Sequence, residues 1–512
     1  MSTVSSERKL VFVGFMGAGK TTAAQLAAQA RGGQVVDLDD LVVQRLGKPI
    51  SQVFSEDGEA AFRQAEQALA LEVLHSSEPG VVALGGGSVL HPAVREVLAD
   101  HDVVWLDVEA DTAWERAQGP HRPLAQDREA FEQLWAERQR HYLGVAKAIV
   151  PATPGVQLDS ALEALAALPG GARLIWAFSA SGQYPVYLGR GLLRGSFWPP
   201  SLPGRRFLVT DARVGELYGQ SVEPPLGKVE IPPGEASKTL AQADRIWRGL
   251  ARVRMTRADL VMALGGGVVG DLGGFCAATY QRGIRYVQMP TTLVAQVDSA
   301  YGGKTGVDLP EAKNYIGAYH QPSAVIVDTD VLASLPEAEL AAGYAEVVKT
   351  ALIAGGELWR QVSAGADPRE PEVILGCALT KLRIVGRDER DGGVRQVLNL
   401  GHTVGHAIEA VTRYRRYRHG EAVALGLLAA LRLSGQEELR QQVGELLRAR
   451  RLPTSLNGVD PEAVVRATGS DKKRVGEGPV PFVLLDAPGR PRLDQSVPGD
   501  AVLDAVRELS SP

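Results

Sequence analysis

A glycine-rich loop near the start of the chain constrains the fold more than any other feature. Residues 14–21 read GFMGAGKT, which fits the G-x-x-x-x-G-K-[ST] pattern, and they stand between the apolar run LVFV and the helix-like run TAAQLAAQA. In this pattern, backbone N–H groups at a helix N-terminus surround phosphates, the lysine reaches their outer oxygens, and the last hydroxyl binds Mg²⁺. The loop predicts a parallel α/β sheet that binds a nucleotide through Gly17, Ala18, Gly19, Lys20, Thr21 and Thr22.

Apolar runs divide the chain into three parts. Up to Leu168, short β-rich runs alternate with helical patterns, as in a parallel sheet flanked by helices. The helix-like run LDSALEALAAL then meets a Pro-Gly-Gly stop, and a new strand pattern begins at Arg173. Strand-like runs recur to Asp328, and from about Pro336 the pattern is helical almost to the end. We predict an α/β domain at 1–168, a linker at 169–172, an α/β lobe at 173–335 and a mostly helical lobe at 336–512.

Charge and cysteine content limit the partners. The chain has 60 acidic and 55 basic residues, so its formal net charge of -5 provides no general attraction for nucleic acid or an anionic membrane. The two cysteines, Cys276 and Cys377, are far apart and belong to no metal-binding pattern, as expected in a reducing compartment. No apolar stretch is long enough for a membrane span. We therefore expect a cytoplasmic enzyme that acts on small molecules.

Two carboxylates follow the second strand-like run. Asp37 and Asp39 lie in VVDLDD, and the alternation of strand side chains predicts that both project to the same side. One carboxylate would help to hold hydrated Mg²⁺ while the other meets an acceptor hydroxyl. A solvated acidic turn is the alternative interpretation.

Several further motifs make the first part of the chain similar to the shikimate kinases. These are GEAAFRQAE with Arg63, the LGGG turn at residues 84–87, HRPL with Arg122, and Arg138 before Tyr142. The resemblance covers about the first 165 residues and implies transfer of phosphate from ATP, with Mg²⁺ held by Thr21 and Asp37. It implies that Arg122 belongs to a lid over the ATP phosphates and acts in catalysis with Lys20 and Asp39. The implied shikimate ligands are Asp39, Arg63, Gly86 and Arg138.

Three histidines are concentrated in the last part of the chain. His402 and His406 are spaced to share one helix face, and His419 stands at the start of the next predicted helix. Imidazoles at this spacing suit Zn²⁺ or a similar ion, which also needs a carboxylate such as Glu346 in the AEVVK run. Spacing alone leaves open which histidines bind the metal, and buried, hydrogen-bonded histidines are the alternative.

Polar loops and a second glycine-rich turn occupy the middle of the chain. LGGGVVGD follows a strand-like run and precedes a helical one, although it lacks the usual dinucleotide-binding spacing. Further on, Asp298, Lys304, Lys313 and Asn314 are expected in loops, where mixed charges indicate a site for an oxyanion.

Residues 172–512 resemble the 3-dehydroquinate synthases. The shared motifs are PPGEASK, GGGVVGD, YQRG, PTTLVAQVDSAYGGKTG, KNYIGAYHQP, AEVVK, LNLGHTVGHAIEA and a late DKK. The resemblance implies an enzyme that uses NAD⁺ and one divalent metal, Zn²⁺ or Co²⁺, and acts on 3-deoxy-D-arabino-heptulosonate 7-phosphate. A homodimer formed through this half is a further expectation.

The same resemblance implies a role for each matched residue. The metal is assigned to Glu346, His402 and His419, and catalysis to Lys304, Lys349 and His406. The implied NAD⁺ contacts are Gly234, Glu235, Lys238, Gly266, Gly267, Val268, Val269, Gly270, Asp271, Thr291, Thr292, Lys304, Lys313, Val331, Leu332, Ala333 and Ser334. The implied substrate contacts are Arg282, Asp298, Asn314, Lys349, Lys381, Arg395, Asn399 and Lys472 or Lys473.

Two other functions are weighed against this one. A sugar-phosphate cyclase of the same fold would act on sedoheptulose 7-phosphate, which lacks a carboxylate and needs fewer cations. The run RYRRYRH at residues 413–419 is basic and aromatic, as in nucleic-acid-binding segments, but a cationic loop near a phosphorylated substrate agrees better with the net charge. The short PGGA junction suggests that the two halves act independently.

Overall fold

The computed structural model describes residues 8–78, 80–118, 125–222, 224–469 and 481–510. The chain forms two compact units, one running to Phe178 with residues 185–187 and 199–201, and one comprising residues 179–184, 188–198 and 202 onward. The predicted ligands Arg122, Lys472 and Lys473 lie outside the described residues. The predicted boundaries at 168, 172 and 335 stay predictions.

The first unit is a parallel sheet flanked by helices, as predicted. Its strands are β1 (Leu10–Val13), β2 (Val35–Asp37), β3 (Val81–Ala83), β4 (Asp102–Asp107), β5 (Ala148–Pro151) and β6 (Arg173–Ser179). Its helices are α1 (Lys20–Arg31), α2 (Leu38–Leu46), α3 (Ile50–Glu56), α4 (Gly58–His75), α5 (Pro92–Leu98), α6 (Ala110–Ala117), α7 (Arg128–Val145) and α8 (Leu158–Ala166). The strands pair in the order β2-β3-β1-β4-β5-β6, and every described pairing is parallel.

The second unit also contains a parallel sheet. Its strands are β7 (Gly182–Gly189), β8 (Arg206–Asp211), β9 (Gly227–Ile231), β10 (Leu260–Gly265), β11 (Arg285–Pro290), β12 (Lys304–Leu309), β13 (Ala312–Tyr319), β14 (Ala324–Asp328), β15 (Pro481–Ala487) and β16 (Arg490–Ser496). Five of them pair in the order β14-β11-β10-β8-β9, and these pairings are parallel. Buried apolar residues of β8, β10 and the flanking helices form its core.

Helices form most of the remainder of the second unit. They are α9 (Ala212–Tyr218), α10 (Leu240–Arg252), α11 (Gly267–Thr279), α12 (Glu337–Ala354), α13 (Gly356–Ser363), α14 (Pro371–Arg387), α15 (His402–Val411), α16 (His419–Leu433), α17 (Glu437–Ala449), α18 (Pro461–Thr468) and α19 (Gly499–Ser510). Among the described residues, no helix combines the length and the apolar character that a bilayer crossing requires. Both cysteines are buried free thiols.

Two antiparallel hairpins contradict the sequence-based expectations. β12 pairs with β13, so Lys304, Lys313 and Asn314 lie on strands rather than in loops. β15 pairs with β16, so the chain is not helical almost to its end after Pro336. Much of β13 and β16 is exposed, and an exposed strand lacks the buried apolar alternation by which a strand is predicted.

Candidate active sites

The glycine-rich loop lies at the point where strand order reverses in the first sheet. β1 has β3 on one side and β4 on the other, and ligands of open α/β sheets bind at the carboxyl ends of strands at such a point. Helix α1 begins at Lys20, immediately after the loop. The Lys20 ammonium donates a hydrogen bond to the carbonyl oxygen of Phe15, at 3.3 Å. The N–H groups of the first helical turn and the lysine therefore lie at the end of the loop that the motif assigns to phosphate oxygens.

The two predicted Mg²⁺ ligands are in direct contact. Thr21 Oγ1 donates to Asp37 Oδ2 at 2.6 Å. A hydroxyl paired with a carboxylate beside a phosphate-binding loop is the oxygen donor set that Mg²⁺ takes in such sites. The residues present therefore fit the ion.

Asp39 does not project from a strand, so the alternation argument for the two carboxylates is wrong. β2 ends at Asp37, whose side chain caps α2 by accepting the N–H of Asp39 at 3.0 Å. Asp39 stands in the first turn of that helix, and its Oδ1 faces the backbone of Gly85. Asp37 thus turns toward the nucleotide loop and Asp39 toward the glycine turn at residues 85–87.

Two arginines meet the glycine turn that carries Gly86. Tyr142 donates to the carbonyl oxygen of Gly86 at 2.6 Å, and Arg138 Nη1 donates to the same atom at 3.4 Å. Arg138 is buried, and its Nε has no hydrogen-bond partner among the described residues. Arg63 packs so closely on Gly87 that a Cβ there would overlap its Nη1. Asp39, Arg63 and Arg138 therefore converge on this turn.

Glu66 holds Arg63 in place at this turn, although the sequence analysis does not predict a role for Glu66. The carboxylate is buried, accepts from Arg63 Nη1 at 2.7 Å and accepts from Ser88 Oγ at 3.0 Å. Burial alone would lower the pKa of Arg63, but Glu66 raises it. Glu66 therefore orients this guanidinium and compensates its partly buried charge. Its position three residues after Arg63 on α4 is the spacing that would have indicated the pair.

The second glycine-rich turn occupies the equivalent position in the second sheet. Strand order reverses between β8 and β10, and α11 begins at Gly267 directly after β10. Gly266 is the N-cap residue of α11 and offers no side chain to its first turn, so backbone N–H groups there are available to a pyrophosphate. Thr291 and Thr292 follow the neighbouring strand β11. The position and the donors fit a dinucleotide.

A buried cation joins this turn to the β12–β13 hairpin. Lys238 Nζ lies 2.5 Å from Asp271 Oδ2 and also donates to the side chain of Asn314. Burial would lower the pKa of Lys238, but the Asp271 and Glu235 carboxylates raise it. Three predicted ligands from distant segments are thus in contact. Lys313, the residue before Asn314, has its Nζ 4.0 Å from Glu235 Oε1.

A second group of charges lies on α12, α14 and the π-helical turn Ala295–Ser299. Lys381 Nζ lies 2.7 Å from Asp298 Oδ1, and Lys349 Nζ lies 2.5 Å from Glu346 Oε2. Burial lowers the pKa of Lys381 despite the nearby Asp298 carboxylate. Arg395 is buried and donates to the carbonyl oxygen of Glu389 at 2.6 Å. Arg395 and Lys349 lie close enough to Lys381 for their positive charges to lower its pKa as well.

Glu346, His402 and His419 form a metal-binding constellation. The Nε2 atoms of His402 and His419 lie 3.4 and 3.3 Å from Glu346 Oε1. This oxygen is buried without a well-directed hydrogen bond among the described residues. Burial would raise the pKa of Glu346, but Lys349 and His402 lower it. An ionised carboxylate between two imidazoles is a donor set that Zn²⁺ or Co²⁺ takes, so the residues fit the implied metal.

The structure places the three histidines in two overlapping donor groups. α16 packs on α12 through Gly420, where a Cβ would overlap the carbonyl oxygen of Ala342. This close approach brings His419 to Glu346. His406 belongs to a different donor group, with Glu409 and His419.

The remaining predicted ligands have varied surroundings. Lys304 is exposed and pairs with Asp391 at 2.6 Å, a partner that sequence reasoning missed. Arg282 is exposed in the turn Tyr280–Arg282. Asn399 ends the turn Val394–Asn399. The turn Thr329–Ser334 carries Val331, Leu332, Ala333 and Ser334, and Tyr218 donates to Ser334 Oγ at 2.8 Å.

Together, the folds and sites define a P-loop phosphotransferase followed by an enzyme with dinucleotide and metal sites. The family model "Shikimate kinase" matches residues 16–168, and the models "3-dehydroquinate synthase N-terminal" and "3-dehydroquinate synthase C-terminal" match residues 228–342 and 343–474. Over its larger part the chain belongs to the 3-dehydroquinate synthase family, and a shikimate kinase domain precedes that part. It is therefore an enzyme with a kinase domain and a lyase domain.

Individual relatives agree with this assignment. The 3-dehydroquinate synthase of Symbiobacterium thermophilum is 43% identical over 353 residues, which span 64% of this chain and 98% of the relative. That of Halorhodospira halophila is 42% identical over 352 residues, 66% of this chain and 98% of the relative. Among solved structures, 2-epi-5-epi-valiolone synthase from Streptomyces hygroscopicus, with NAD⁺ and Zn²⁺ bound, is 26% identical. Its TM-score is 0.59, with 64% of this chain and 96% of that chain covered.

Proposed function

We propose that the first unit phosphorylates the 3-hydroxyl of shikimate with ATP. The main support for this proposal is that three side chains converge on the glycine turn beside the nucleotide loop. They are Asp39, Arg63 and Arg138. Arginine forks bind a carboxylate with two hydrogen bonds, and Asp39 is the group that orients a hydroxyl. The first unit offers both.

Each residue of the kinase site has a distinct task in this proposal. Lys20 and the N–H groups of α1 neutralise the phosphate oxygens during transfer. Thr21 and Asp37 would hold Mg²⁺, which neutralises charge on the phosphates. Asp39 orients the shikimate hydroxyl for in-line attack, since a loose transition state requires positioning more than a strong base.

ADP formation by the full chain tests the kinase proposal. We expect ADP to form with shikimate, ATP and Mg²⁺ together, and not when shikimate or Mg²⁺ is omitted. Quinate, which carries an additional hydroxyl on the same ring, serves as the comparison acceptor. Faster turnover of quinate than of shikimate would contradict the proposed substrate.

We propose that the second unit converts 3-deoxy-D-arabino-heptulosonate 7-phosphate to 3-dehydroquinate and phosphate. The main support is that Glu346, His402 and His419 form a donor group for a metal. Two buried cations, Lys349 and Lys381, lie nearby. NAD⁺ would supply transient oxidation of one alcohol, and the metal would polarise that alcohol. A solved relative of this unit carries NAD⁺ and Zn²⁺, which supports the same pair of cofactors here.

The residues of this chain hold and orient the substrate in the second reaction. The turn at Gly266 and the N-terminus of α11 would bind the NAD⁺ pyrophosphate. Lys381 and Arg395 provide buried positive charge for the carboxylate and phosphate groups of the substrate. Glu346, His402 and His419 would hold the metal.

A cyclase acting on sedoheptulose 7-phosphate is the second candidate, because a shared fold, as with 2-epi-5-epi-valiolone synthase, does not determine the substrate. Two observations favour the heptulosonate. The curated synthases are 43 and 42% identical over 98% of their length, against 26% for the valiolone synthase. The buried cations Lys381 and Arg395 suit a substrate with a carboxylate in addition to its phosphate.

Phosphate release separates the two candidates. The full chain is incubated with each sugar phosphate, with and without NAD⁺, and after removal of metal by a chelator. We expect release from the heptulosonate, dependent on NAD⁺ and restored by Zn²⁺ or Co²⁺. Release from sedoheptulose 7-phosphate alone would overturn the synthase proposal.

A further inference from the structure

The buried carboxylate of Glu409 contacts His419, one of the proposed metal ligands. Glu409 lies on α15 and is 3% exposed. Its Oε2 is 3.1 Å from Nδ1 of His419, and its Oε1 is 3.4 Å from Nζ of Lys313. The opposite ring nitrogen of His419, Nε2, faces Glu346 at 3.3 Å. The imidazole therefore bridges Glu409 and Glu346.

From this geometry we infer that Glu409 is a positioning residue for the metal site of the second unit, where it fixes the orientation and tautomer of His419. The inference rests on the proposed function, which assigns His419 to the metal. An imidazole that gives its Nδ1 proton to a carboxylate presents the lone pair of Nε2 to a metal, and such partners strengthen binding.

The location of His419 explains why a partner is needed. It is the first residue of α16, and its side chain is 40% exposed, whereas Glu346 is buried. A half-exposed ring at a helix end has other rotamers available to it, and each would turn Nε2 away from Glu346. A hydrogen bond from a buried, immobile carboxylate removes that freedom before the metal binds.

Glu409 is a support for His419 rather than a ligand. His406, Glu409 and His419 do form a second group of donors close enough for a metal. However, both oxygens of Glu409 already have partners, His419 and Lys313, whereas Oε1 of Glu346 has no well-directed hydrogen bond among the described residues. A metal in the second group would have to displace Lys313 or the Nδ1 proton.

Lys313 extends the support to the β12–β13 hairpin. Its ammonium lies near Glu409 and also 4.4 Å from the centre of the Tyr414 ring. Asn314, the next residue along β13, contacts Lys238 beside the glycine turn. Glu409 thus connects α15 with the hairpin that carries predicted NAD⁺ and substrate ligands.

Metal affinity of the full chain tests the inference without requiring turnover. Zn²⁺ and Co²⁺ affinities are measured by competition with a chelator, and the visible absorption of the Co²⁺-loaded protein reports its coordination. We expect Glu409→Gln to weaken binding about 10- to 100-fold, as for other partners of metal-bound histidines, and to change the Co²⁺ spectrum. Glu409→Asp, which keeps the charge, should recover part of the affinity.

Glu421→Gln is the matched control. Glu421 stands two residues after His419 and caps the same helix through Arg418, so its loss perturbs the helix start without touching the ring. Its metal affinity should equal that of the wild type. Thermal unfolding of metal-free Glu409→Gln is compared with the wild type to exclude a folding defect, and Glu409→Asp replaces it if that defect is found.

The outcomes separate this inference from the proposed function. Wild-type affinity and spectrum in Glu409→Gln would overturn the positioning role while leaving the metal site in place. Loss of metal in both Glu409→Gln and His406→Ala, with Glu346→Gln unaffected, would instead place the ion in the second donor group and overturn the role assigned here. A wild-type chain that binds neither Zn²⁺ nor Co²⁺ would contradict the proposed function itself.

Discussion

The two units use different devices to prepare a site for an anionic substrate. In the first unit, backbone groups shape the site, because a glycine-rich loop leads into a helix N-terminus and the glycines around Gly86 allow Arg63 and Glu66 to approach closely. In the second unit, buried side chains of opposite charge face each other, as Lys349 does Glu346 and Lys381 does Asp298. Phosphate binding by backbone N–H groups needs a short local sequence, whereas a metal site needs donors from separate helices.

This difference predicts how the two sites respond to substitution. The first unit should be sensitive to an atom added at the tightly packed glycines of the turn around Gly86. The second should be sensitive to the loss of single side chains, because removing one partner leaves another charge buried without compensation. The substitutions below test this contrast from the largest expected effect to the smallest.

Loss of one metal ligand should have the largest effect. We expect His419→Ala to lower metal affinity by more than the about 10- to 100-fold that is typical for supporting residues, and to abolish phosphate release from the heptulosonate. His406→Ala is the comparison, because His406 lies outside the Glu346 group, and it should keep the metal. Chelator competition measures both. Equal losses in the two variants would contradict the assignment of ligands.

Adding a methyl group at Gly87 tests the backbone-built site. A Cβ there overlaps Arg63 Nη1, so Gly87→Ala should displace the guanidinium and raise the KM for shikimate about 10-fold or more, equivalent to about 1.4 kcal/mol. The KM for ATP should change little. Gly144→Ala is the control, since its Cβ meets nothing within 4 Å. An unchanged shikimate KM in Gly87→Ala would exclude Arg63 from the acceptor site.

Neutralising Glu66 should have a smaller effect on the same site. Glu66→Gln keeps the shape but removes the charge that holds Arg63, so we expect kcat/KM for shikimate to fall about 3- to 10-fold, or about 0.7–1.4 kcal/mol. Glu72→Gln is the matched control on α4, because Glu72 is exposed and pairs with Arg45. Steady-state kinetics with shikimate measure kcat/KM for both variants. Equal losses of kcat/KM in the two variants would mean that the Glu66 charge does not orient Arg63 for shikimate.

The ion pair of Asp259 with Arg205 should affect the stability of the fold rather than either activity. Hydrogen bonds from Arg205 and Thr256 hold the pKa of Asp259 well below its usual range, although burial opposes them. A lowered pKa stabilises the fold at pH values above about 4, and the contribution is lost as the pH falls below that value. Asp259→Asn should therefore cost about 1–3 kcal/mol at neutral pH and less at pH near about 3.

Urea unfolding at the two pH values measures this cost. Asp244→Asn is the control, because Asp244 is exposed and pairs with Arg248 one helical turn away, a kind of pair that contributes at most about 0.5 kcal/mol. A cost for Asp259→Asn that stays the same at both pH values would show that its charge is not involved.

The sequence predicts the first unit better than the second, for a physical reason. The strand at residues 10–13, the loop and the helix after it form one contiguous segment, and local signals suffice there. The choice between His406 and His419 depends on how closely α16 approaches α12 at Gly420. The spacing of histidines carries no information about that contact.

Two features of the sites escaped prediction because their signals are weak. The hairpin strands β12 and β13 carry Lys304, Lys313 and Asn314, but β13 is exposed and shows no apolar alternation. Glu66 lies three residues after Arg63 on one helix, a spacing that allows an ion pair but is also common to exposed pairs. Glu409 and His419 lie ten residues apart on different helices, so no local spacing links them. The burial of both carboxylates, which the structure shows, indicates that they position other groups.

Independent action of the two sites is the central claim, and one crossed assay tests it most directly. Shikimate phosphorylation and phosphate release from the heptulosonate are both measured in full-chain Lys20→Ala and His419→Ala. We predict that Lys20→Ala loses about 100-fold or more of the kinase activity and keeps phosphate release, and that His419→Ala shows the reverse. A folded variant that loses both activities would contradict the account.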